Sequence, residues 1–162
     1  MIGRRLPPEV RRLALPRGER ALAAAVTDAG LPVVGTRSAL HLGERRIGWE
    51  RVHRATWDPE TGRLTVSEVG DFGDQRPVHV LAIERPGRLL ELVRERVTST
   101  MVLQRHVPLV GDAGVFVIGR RAPAAGETVW YFDFEAGVDP ADPEVRRGAH
   151  EAMARVRAEF GV

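Results

Sequence analysis

The sequence predicts an α+β fold in which short antiparallel strands outnumber helices. Between residues 19 and 84, segments rich in β-forming residues or with period-two alternation follow one another at short intervals, separated by turn-forming residues. Two later segments, 86–97 and 143–160, instead repeat apolar residues at helical spacing. The length of 162 residues suits one domain, or one domain with an appended part.

The N-terminal 17 residues are predicted to be a basic arm with one short helix. Leu6, Val10 and Leu13 have helical spacing before a proline and a glycine end the pattern. The first 20 residues hold six arginines against two glutamates, a net charge of +4 within a chain whose formal net charge is +2. This arm is either a solvated, partly disordered tail or a contact for anions. The candidate anion-contact residues are Arg4, Arg5, Arg11 and Arg12.

Seven segments between residues 19 and 84 have strand character. Glu19–Val26 is ambiguous, because its alanines favour a helix whereas Leu22, Ala24 and Val26 would line one face of a strand. Turns rich in glycine and aspartate separate the segments, which predicts strands that pair antiparallel in chain order. The other six segments are residues 31–36, 38–42, 45–49, 52–58, 62–69 and 77–84.

The stretch RRIGWERVHRATW, residues 45–57, brings basic side chains and two tryptophans close together. Alternation places Ile47 and Trp49 on one face at the end of a strand, and a second strand follows after a turn. Acidic residues before, within and after the stretch dilute any field of a single sign, so the pattern predicts strands with one wet face rather than a nucleic-acid surface. If a partner binds this stretch, the candidate contact residues are Arg51, His53 and Arg54.

The region after residue 85 predicts two helices on either side of three strands. Pro86 suits the first residue of a helix that runs to residue 97. The last strand segment carries Trp130, Phe132 and Phe134 on one face and Tyr131 on the other, an aromatic stripe that we interpret as core, with a partner patch as the alternative. The strand segments are residues 98–109, 114–121 and 127–135.

A C-terminal helix is predicted from its start, stripe and stop signals. Two Asp-Pro pairs within residues 139–144 give a cap, a proline start and an acidic first turn, which explains this acidic cluster better than a divalent cation site does. Gly161 follows as a stop signal. The apolar stripe between them consists of Val145, Ala149, Ala152, Val156 and Phe160.

Several chemistries are excluded or not expected. The chain contains no cysteine, which excludes disulfides and thiolate metal sites, and no lysine, which excludes a Walker A phosphate loop. Its five histidines form no zinc motif and its serines lie outside nucleophile-elbow contexts, so we expect no catalytic set, no metal and no cofactor. No apolar run approaches the roughly 20 residues of a membrane span and no signal-peptide core is present, so we expect a cytoplasmic protein.

Residues 33–66, VVGTRSALHLGERRIGWERVHRATWDPETGRLTV, resemble the bacterial pleckstrin-homology-like (PH-like) domains. In that family an apolar strand ends in threonine, a later strand ends in Ile-Pro-Trp before an acidic residue, and a glycine turn leads into a Leu-Thr-Val strand. Gly48 stands here where proline is usual. The matching positions are Thr36, Arg37, Ile47, Trp49, Glu50, Asp58, Gly62, Leu64 and Val66.

The resemblance covers about residues 18–98 and implies a bent seven-stranded antiparallel sheet or barrel, with the segment 86–97 as a capping helix and Glu19–Val26 as the first strand. Residues 99–162, a three-stranded meander and a helix, are similar to uncharacterised proteins of high-GC Gram-positive bacteria. We expect this extension to pack on the PH-like part as one unit. The loop that binds lipid phosphates in some relatives corresponds to Thr27–Gly30, which carries one acid and no base, so the lipid site is not carried over.

The resemblance implies a non-enzymatic interaction module that binds protein partners or assembles with itself. A fold alone carries no site, so two further hypotheses stay open. One is a nucleic-acid or anionic-surface binder that uses the arginine-rich arm. The other is a small-molecule pocket, or an uncharacterised enzyme, in the cleft between the PH-like part and the extension.

Overall fold

The structure is a computed structural model that describes residues 5–124 and 126–162. Arg4, one of the predicted arm residues, lies outside the described residues. The chain has a mixed α+β fold. Its helices are α1 (Pro8–Arg12), α2 (Leu89–Thr100) and α3 (Pro143–Phe160). Its strands are β1 (Ala23–Val26), β2 (Pro32–Gly35), β3 (Ala39–Leu42), β4 (Arg45–Gly48), β5 (Val52–Asp58), β6 (Arg63–Glu68), β7 (Val78–Ala82), β8 (Met101–Val110), β9 (Ala113–Arg121) and β10 (Thr128–Phe134).

The strands form three antiparallel sheets, in the orders β1-β2-β3-β4, β5-β6-β7 and β10-β9-β8. The sequence predicted one bent sheet or barrel for the first seven strands, but in the described part of the chain they form two sheets and neither is closed. The ladder breaks between β4 and β5, because Trp49–Arg51 forms a 3-10 turn that carries Trp49 inward. One backbone hydrogen bond, from Asp28 N to Ala82 O at 2.9 Å, joins the outer edges of the two sheets.

The core of residues 18–98 is built by both of these sheets and by α2. Trp49 is its largest fully buried side chain, and its Nε1 donates to Thr36 O at 2.9 Å. Leu89 and Val93 bring the apolar face of α2 into the same cluster. Trp49 is therefore a core residue, as expected if residues 45–49 form a strand with one buried face.

The first strand is shorter than predicted, because only Ala23–Val26 pairs with β2. Glu19 instead lies before β1 with its carboxylate held by side chains of the β2–β4 region. Burial by itself would raise the pKa of Glu19, but hydrogen bonds from Ser38 and Arg46, together with the charge of Arg46, outweigh it and lower the pKa to about 2. The partners of the carboxylate are Thr36, Ser38, His41 and Arg46.

Helix α2 begins three residues later than predicted and ends three residues later. Gly87 has a φ of 54°, a left-handed conformation that a helix cannot include, so Pro86 lies in a turn and accepts a hydrogen bond from Leu89 N at 3.0 Å. At the other end, the helix takes up residues 98–100, which were predicted to be strand. β8 begins at the very next residue, Met101, so the predicted boundary between residues 98 and 99 falls inside α2.

The extension packs α3 against the β8–β10 sheet. The predicted start and stop of α3 are confirmed: Asp142 caps the helix by accepting from Glu144 N at 2.8 Å, and Gly161 follows with a φ of 94°. The predicted stripe is confirmed as well, since four of its five members are buried: Val145, Ala149, Ala152 and Val156. Among the described residues, no helix combines the length and the apolar character that a membrane span needs.

Candidate functional site

The loop between β6 and β7, residues 69–77, belongs to the first part of the chain, residues 18–98, and packs against the extension, residues 99–162. Phe72 inserts edge-on between aromatic rings of the extension, with centroid distances of 5.3 Å to Phe132, 5.4 Å to Phe134 and 5.0 Å to His150. The guanidinium of Arg146 lies 5.0 Å from the centre of the Phe72 ring. The loop is thereby fixed to β10 and to α3.

Arg76 makes the second attachment of this loop. Its Nη2 donates to Phe132 O at 2.6 Å and to Asp133 Oδ1 at 3.2 Å. The same guanidinium lies 5.6 Å from the centre of the Tyr131 ring. Phe72 contacts β10 through edge-to-face ring contacts, and Arg76 contacts it through charge-assisted hydrogen bonds. Together they hold β10 at three consecutive residues, 132–134.

A buried arginine, Arg120, lies beneath this contact with only 3% of its surface exposed. It comes from β9, and its acceptors come from the end of α2, from β5 and from β10. All of these acceptors are uncharged, so the buried cation is stabilised by hydrogen bonds to neutral groups. Nε donates to Tyr131 Oη at 3.0 Å, Nη1 to Val97 O at 2.6 Å and Thr100 Oγ1 at 2.9 Å, and Nη2 to His53 O at 3.1 Å.

We call the contact between residues 18–98 and the extension the junction. His53 reaches the junction because of a β-bulge. The pairing of β5 with β6 shifts register between Val52 and Arg54, which leaves His53 as the extra residue. Such a bulge bends the strand and re-aims its side chain. The ring of His53 consequently lies edge-on to Tyr131, with the centroids 5.5 Å apart.

Tyr131 links Arg120 to His53. A guanidinium can only donate, so Tyr131 Oη accepts from Arg120, and its own proton is available for His53 Nδ1, 3.0 Å away. In the histidine tautomer that accepts this bond, the ring proton is on Nε2, which lies 3.7 Å from Asp133 Oδ2. Burial and the nearby charge of Arg76 lower the pKa of His53 to about 4, although Asp133 acts in the opposite direction, and burial raises the pKa of Tyr131. Both side chains are neutral at pH 7.

A cleft of about 420 Å³ lies between the 69–77 loop, β10 and α3. Aromatic side chains form its walls, and Tyr131 and Asp133 connect it to the network beneath. Arg51 and His150 are exposed at its rim, together with Asp71 and Asp74 of the loop. The aromatic residues that line it are Phe72, Trp130, Tyr131, Phe132 and Phe134.

The predicted partner residues lie in three different environments. Arg51 is exposed at the rim of the cleft. His53 is in the junction, with its side chain 10% exposed. Arg54 is exposed on the opposite, outer face of the β5–β7 sheet. The structure therefore brings Arg51 and His53 to the junction region and leaves Arg54 outside it.

The described residues of the predicted anion-contact arm, Arg5, Arg11 and Arg12, are all exposed. Arg5 lines a separate groove of about 680 Å³ that runs along β1. The arm thus lies apart from the junction cleft, and the two are independent candidate surfaces.

Sequence reasoning missed Arg76, Arg120 and Asp133. Arg120 had a signal, since it follows the apolar run GVFVIG within a predicted strand, where an arginine needs buried acceptors. Arg76 had none, because its partner Asp133 is 57 residues away in a different sheet. The aromatic stripe was interpreted as core: Trp130 and Phe132 pack against the α3 core, but both are only partly buried, as is Phe134. Tyr131, on the other face, is buried with 5% of its surface exposed.

The cleft is lined by charged and aromatic side chains that can hold a ligand. No serine, threonine or cysteine is among the described residues that line it. Nowhere in residues 5–124 and 126–162 do three histidine, aspartate or glutamate side chains converge to hold a metal ion. Aromatic walls and an exposed guanidinium suit an apolar group that lies next to a carboxylate.

Comparison with protein-family models, with curated proteins and with solved structures finds no match to this chain.

Proposed function

We propose that the protein is a non-enzymatic interaction module whose first part is PH-like, and that it binds a segment of a partner protein in the junction cleft. The observation that carries the proposal is the cleft itself. Its volume of about 420 Å³ falls within the roughly 300–1,000 Å³ of ligand sites. Five aromatic side chains line it together with five charged ones, which are Arg51, Asp71, Asp74, Arg76 and Asp133.

Support for the PH-like part comes from the order of its elements. Seven antiparallel strands divide into sheets of four and three in chain order, and one amphipathic helix follows them. That helix, α2, places Leu89 and Val93 in the core that both sheets share. The family pattern also assigns Trp49 to the end of the fourth strand, where it is buried.

The charged side chains at the rim of the cleft indicate which partner it binds. Arg51 is exposed beside walls made by Phe72 and Phe132, on a rim that also carries the carboxylates of Asp71 and Asp74, so an acidic group can pair only at Arg51. A guanidinium at the edge of an apolar cleft favours a carboxylate, because the low dielectric of the walls strengthens the ion pair. We therefore expect a peptide segment with an apolar side chain in the cleft and an aspartate or glutamate beside it.

The proposal is tested by selecting peptides from a random displayed library against the intact protein. We expect the selected peptides to share an apolar residue next to an acidic one. Their affinity, measured by fluorescence anisotropy, should fall at least about tenfold in Arg51→Glu, which corresponds to ~1.4 kcal/mol. Arg54→Glu is the matched control, since it makes the same charge change on an exposed arginine three residues away, outside the cleft.

Three outcomes contradict the proposal. One is that no peptide is retained above the background of an unrelated protein. Another is that peptides bind equally well to wild type and to Arg51→Glu, which would place their site elsewhere. An equal loss in Arg51→Glu and Arg54→Glu would show a general effect of charge and would also contradict it.

The exposed arginines of the arm favour a second candidate function, binding of a polyanion. Arg5, Arg11 and Arg12 all point to solvent, and phosphate contacts of this kind give an affinity that falls steeply with salt. A mobility-shift assay with duplex and single-stranded DNA at low salt tests it. Retention that disappears in the variant with all three arginines changed to glutamine supports this candidate, and the absence of retention in wild type removes it.

A further inference from the structure

The outer edge of β7 is open over two residues. The bonds Glu68 N to Pro77 O and Ile83 N to Gly62 O, both 2.9 Å, show that the odd-numbered residues of β7 exchange hydrogen bonds with β6. Alternation along an antiparallel ladder then turns the N–H and C=O groups of Val78 and Val80 away from β6. Within the described chain these groups have no backbone partner.

The next outward-facing residue shows where the open edge ends. Ala82 O is already occupied, because it accepts from Asp28 N at 2.9 Å. Pro77 at the other end does not block the edge, since its missing N–H would point toward β6. The open edge therefore consists of Val78 and Val80.

The side chains of this edge are unusually apolar for solvent-facing positions. Val78 is 57% exposed and Val80 is 59% exposed. Their neighbours on the outer face of β6 are Ser67, opposite Val78, and Thr65, opposite Val80. Natural edge strands are usually protected by charged side chains, by prolines or by β-bulges, and β7 has none of these at the two valines.

We propose that β7 pairs antiparallel with β7 of a second copy of this chain, around a two-fold axis at His79. In that register Val78 of each copy lies opposite Val80 of the other, and each such pair exchanges two backbone hydrogen bonds. The result is a six-stranded sheet that runs through both copies, with the four valines packed together on its outer face.

A second copy fits this edge better than an unrelated strand for two reasons. The open segment is symmetric about His79, so a two-fold axis satisfies the outward groups of both residues at once, as an isologous interface requires. The surrounding side chains Ser67 and Thr65 are uncharged, so two identical faces meet without like charges at the valines. On the other face, each His79 stays with its own Glu68, 2.6 Å away.

The experiment measures molar mass by sedimentation velocity over a concentration series of the full chain. We expect wild type to form dimers, and Val80→Lys to raise the dimer dissociation constant at least about tenfold, because a lysine at an edge disfavours pairing. Val110→Lys is the matched control, since Val110 is 52% exposed at the far end of β8. Hydrogen exchange should show that the amides of Val78 and Val80 become more protected as concentration rises, and circular dichroism confirms folding of each variant.

A wild-type chain that stays monomeric throughout the series would overturn the proposal. So would a dimer that Val80→Lys leaves intact, or one that Val80→Lys and Val110→Lys weaken equally. These outcomes are separate from those of the cleft, because Val78 and Val80 do not line it.

Discussion

The core of residues 18–98 and the junction with the extension are both buried, but they are held together in different ways. The core consists of apolar side chains around Trp49, whose attraction depends on contact area and volume. The junction is organised by Arg120, whose hydrogen bonds have fixed directions and reach three other elements, α2, β5 and β10. The difference indicates that the core tolerates changes of shape that conserve volume, whereas the junction tolerates no loss of a donor.

The largest effect is expected from a cavity in the core. Trp49→Ala removes the largest fully buried side chain and leaves Thr36 O without its donor, so it should lower the free energy of unfolding by about 3–5 kcal/mol. Urea denaturation followed by circular dichroism measures this. Trp57→Ala is the control, because Trp57 is only partly buried at the edge of the same cluster. An equal loss in both variants would contradict the assignment of Trp49 to the centre of the core.

The next effect tests the junction. Arg120→Met keeps much of the volume but removes every donor to Tyr131, Val97, Thr100 and His53, so we expect a loss of about 2–4 kcal/mol. Leu40→Met in the core, a swap that conserves volume, should cost less than about 1.5 kcal/mol. If Arg120→Met were as mild as Leu40→Met, the contrast between the two regions would be wrong.

A third test uses pH. Because the pKa of His53 is lowered from 6.5 to about 4, the unfolded chain binds its proton at a higher pH than the folded chain does. His53 should therefore leave stability unaffected above about pH 6.5 and cost stability progressively as the pH falls toward 4, by on the order of 2–3 kcal/mol in total. His53→Gln should flatten this part of the profile of unfolding free energy against pH.

The smallest effect concerns the polar cluster at the start of β1. Glu19→Gln should cost about 1–2 kcal/mol at pH 7, because an amide cannot replace the carboxylate that accepts from Ser38 and Arg46. The pKa of Glu19 is lowered from 4.5 to about 2, so its contribution is complete above about pH 4.5 and is lost as the pH falls to 2. The difference between wild type and variant should therefore disappear below pH 2. A difference that persists there would contradict a role for the charge.

Helix α3 shows what the sequence predicts well. Its capped start within residues 139–144, its stop at Gly161 and four of the five residues of its apolar stripe are local signals that are confirmed. Helix α2 shows the limit of such signals. Pro86 marked a start that the left-handed conformation of Gly87 postpones to Leu89, and both residues are common in helix starts and in turns.

The junction was not predictable from the sequence for two physical reasons. Alternation alone does not place His53, because it is the extra residue of a β-bulge, and a bulge has no signature in a single sequence. Arg120 bonds to acceptors up to 67 residues away, and no local pattern encodes such pairings. The candidate site thus depends on contacts between segments, while the elements that carry it depend on local chemistry.

Helix α2 passes directly into β8 at Thr100–Met101, with no loop between them. Since helix and strand share one peptide bond, the axis of α2 and the direction of β8 are set by the dihedral angles of one or two residues. The buried guanidinium of Arg120 donates to Val97 O and Thr100 Oγ1 at this point and so stabilises the angle between α2 and β8. The orientation of α2 relative to the β8–β10 sheet is therefore set at this one connection, and with it the position of Leu89 and Val93 in the core.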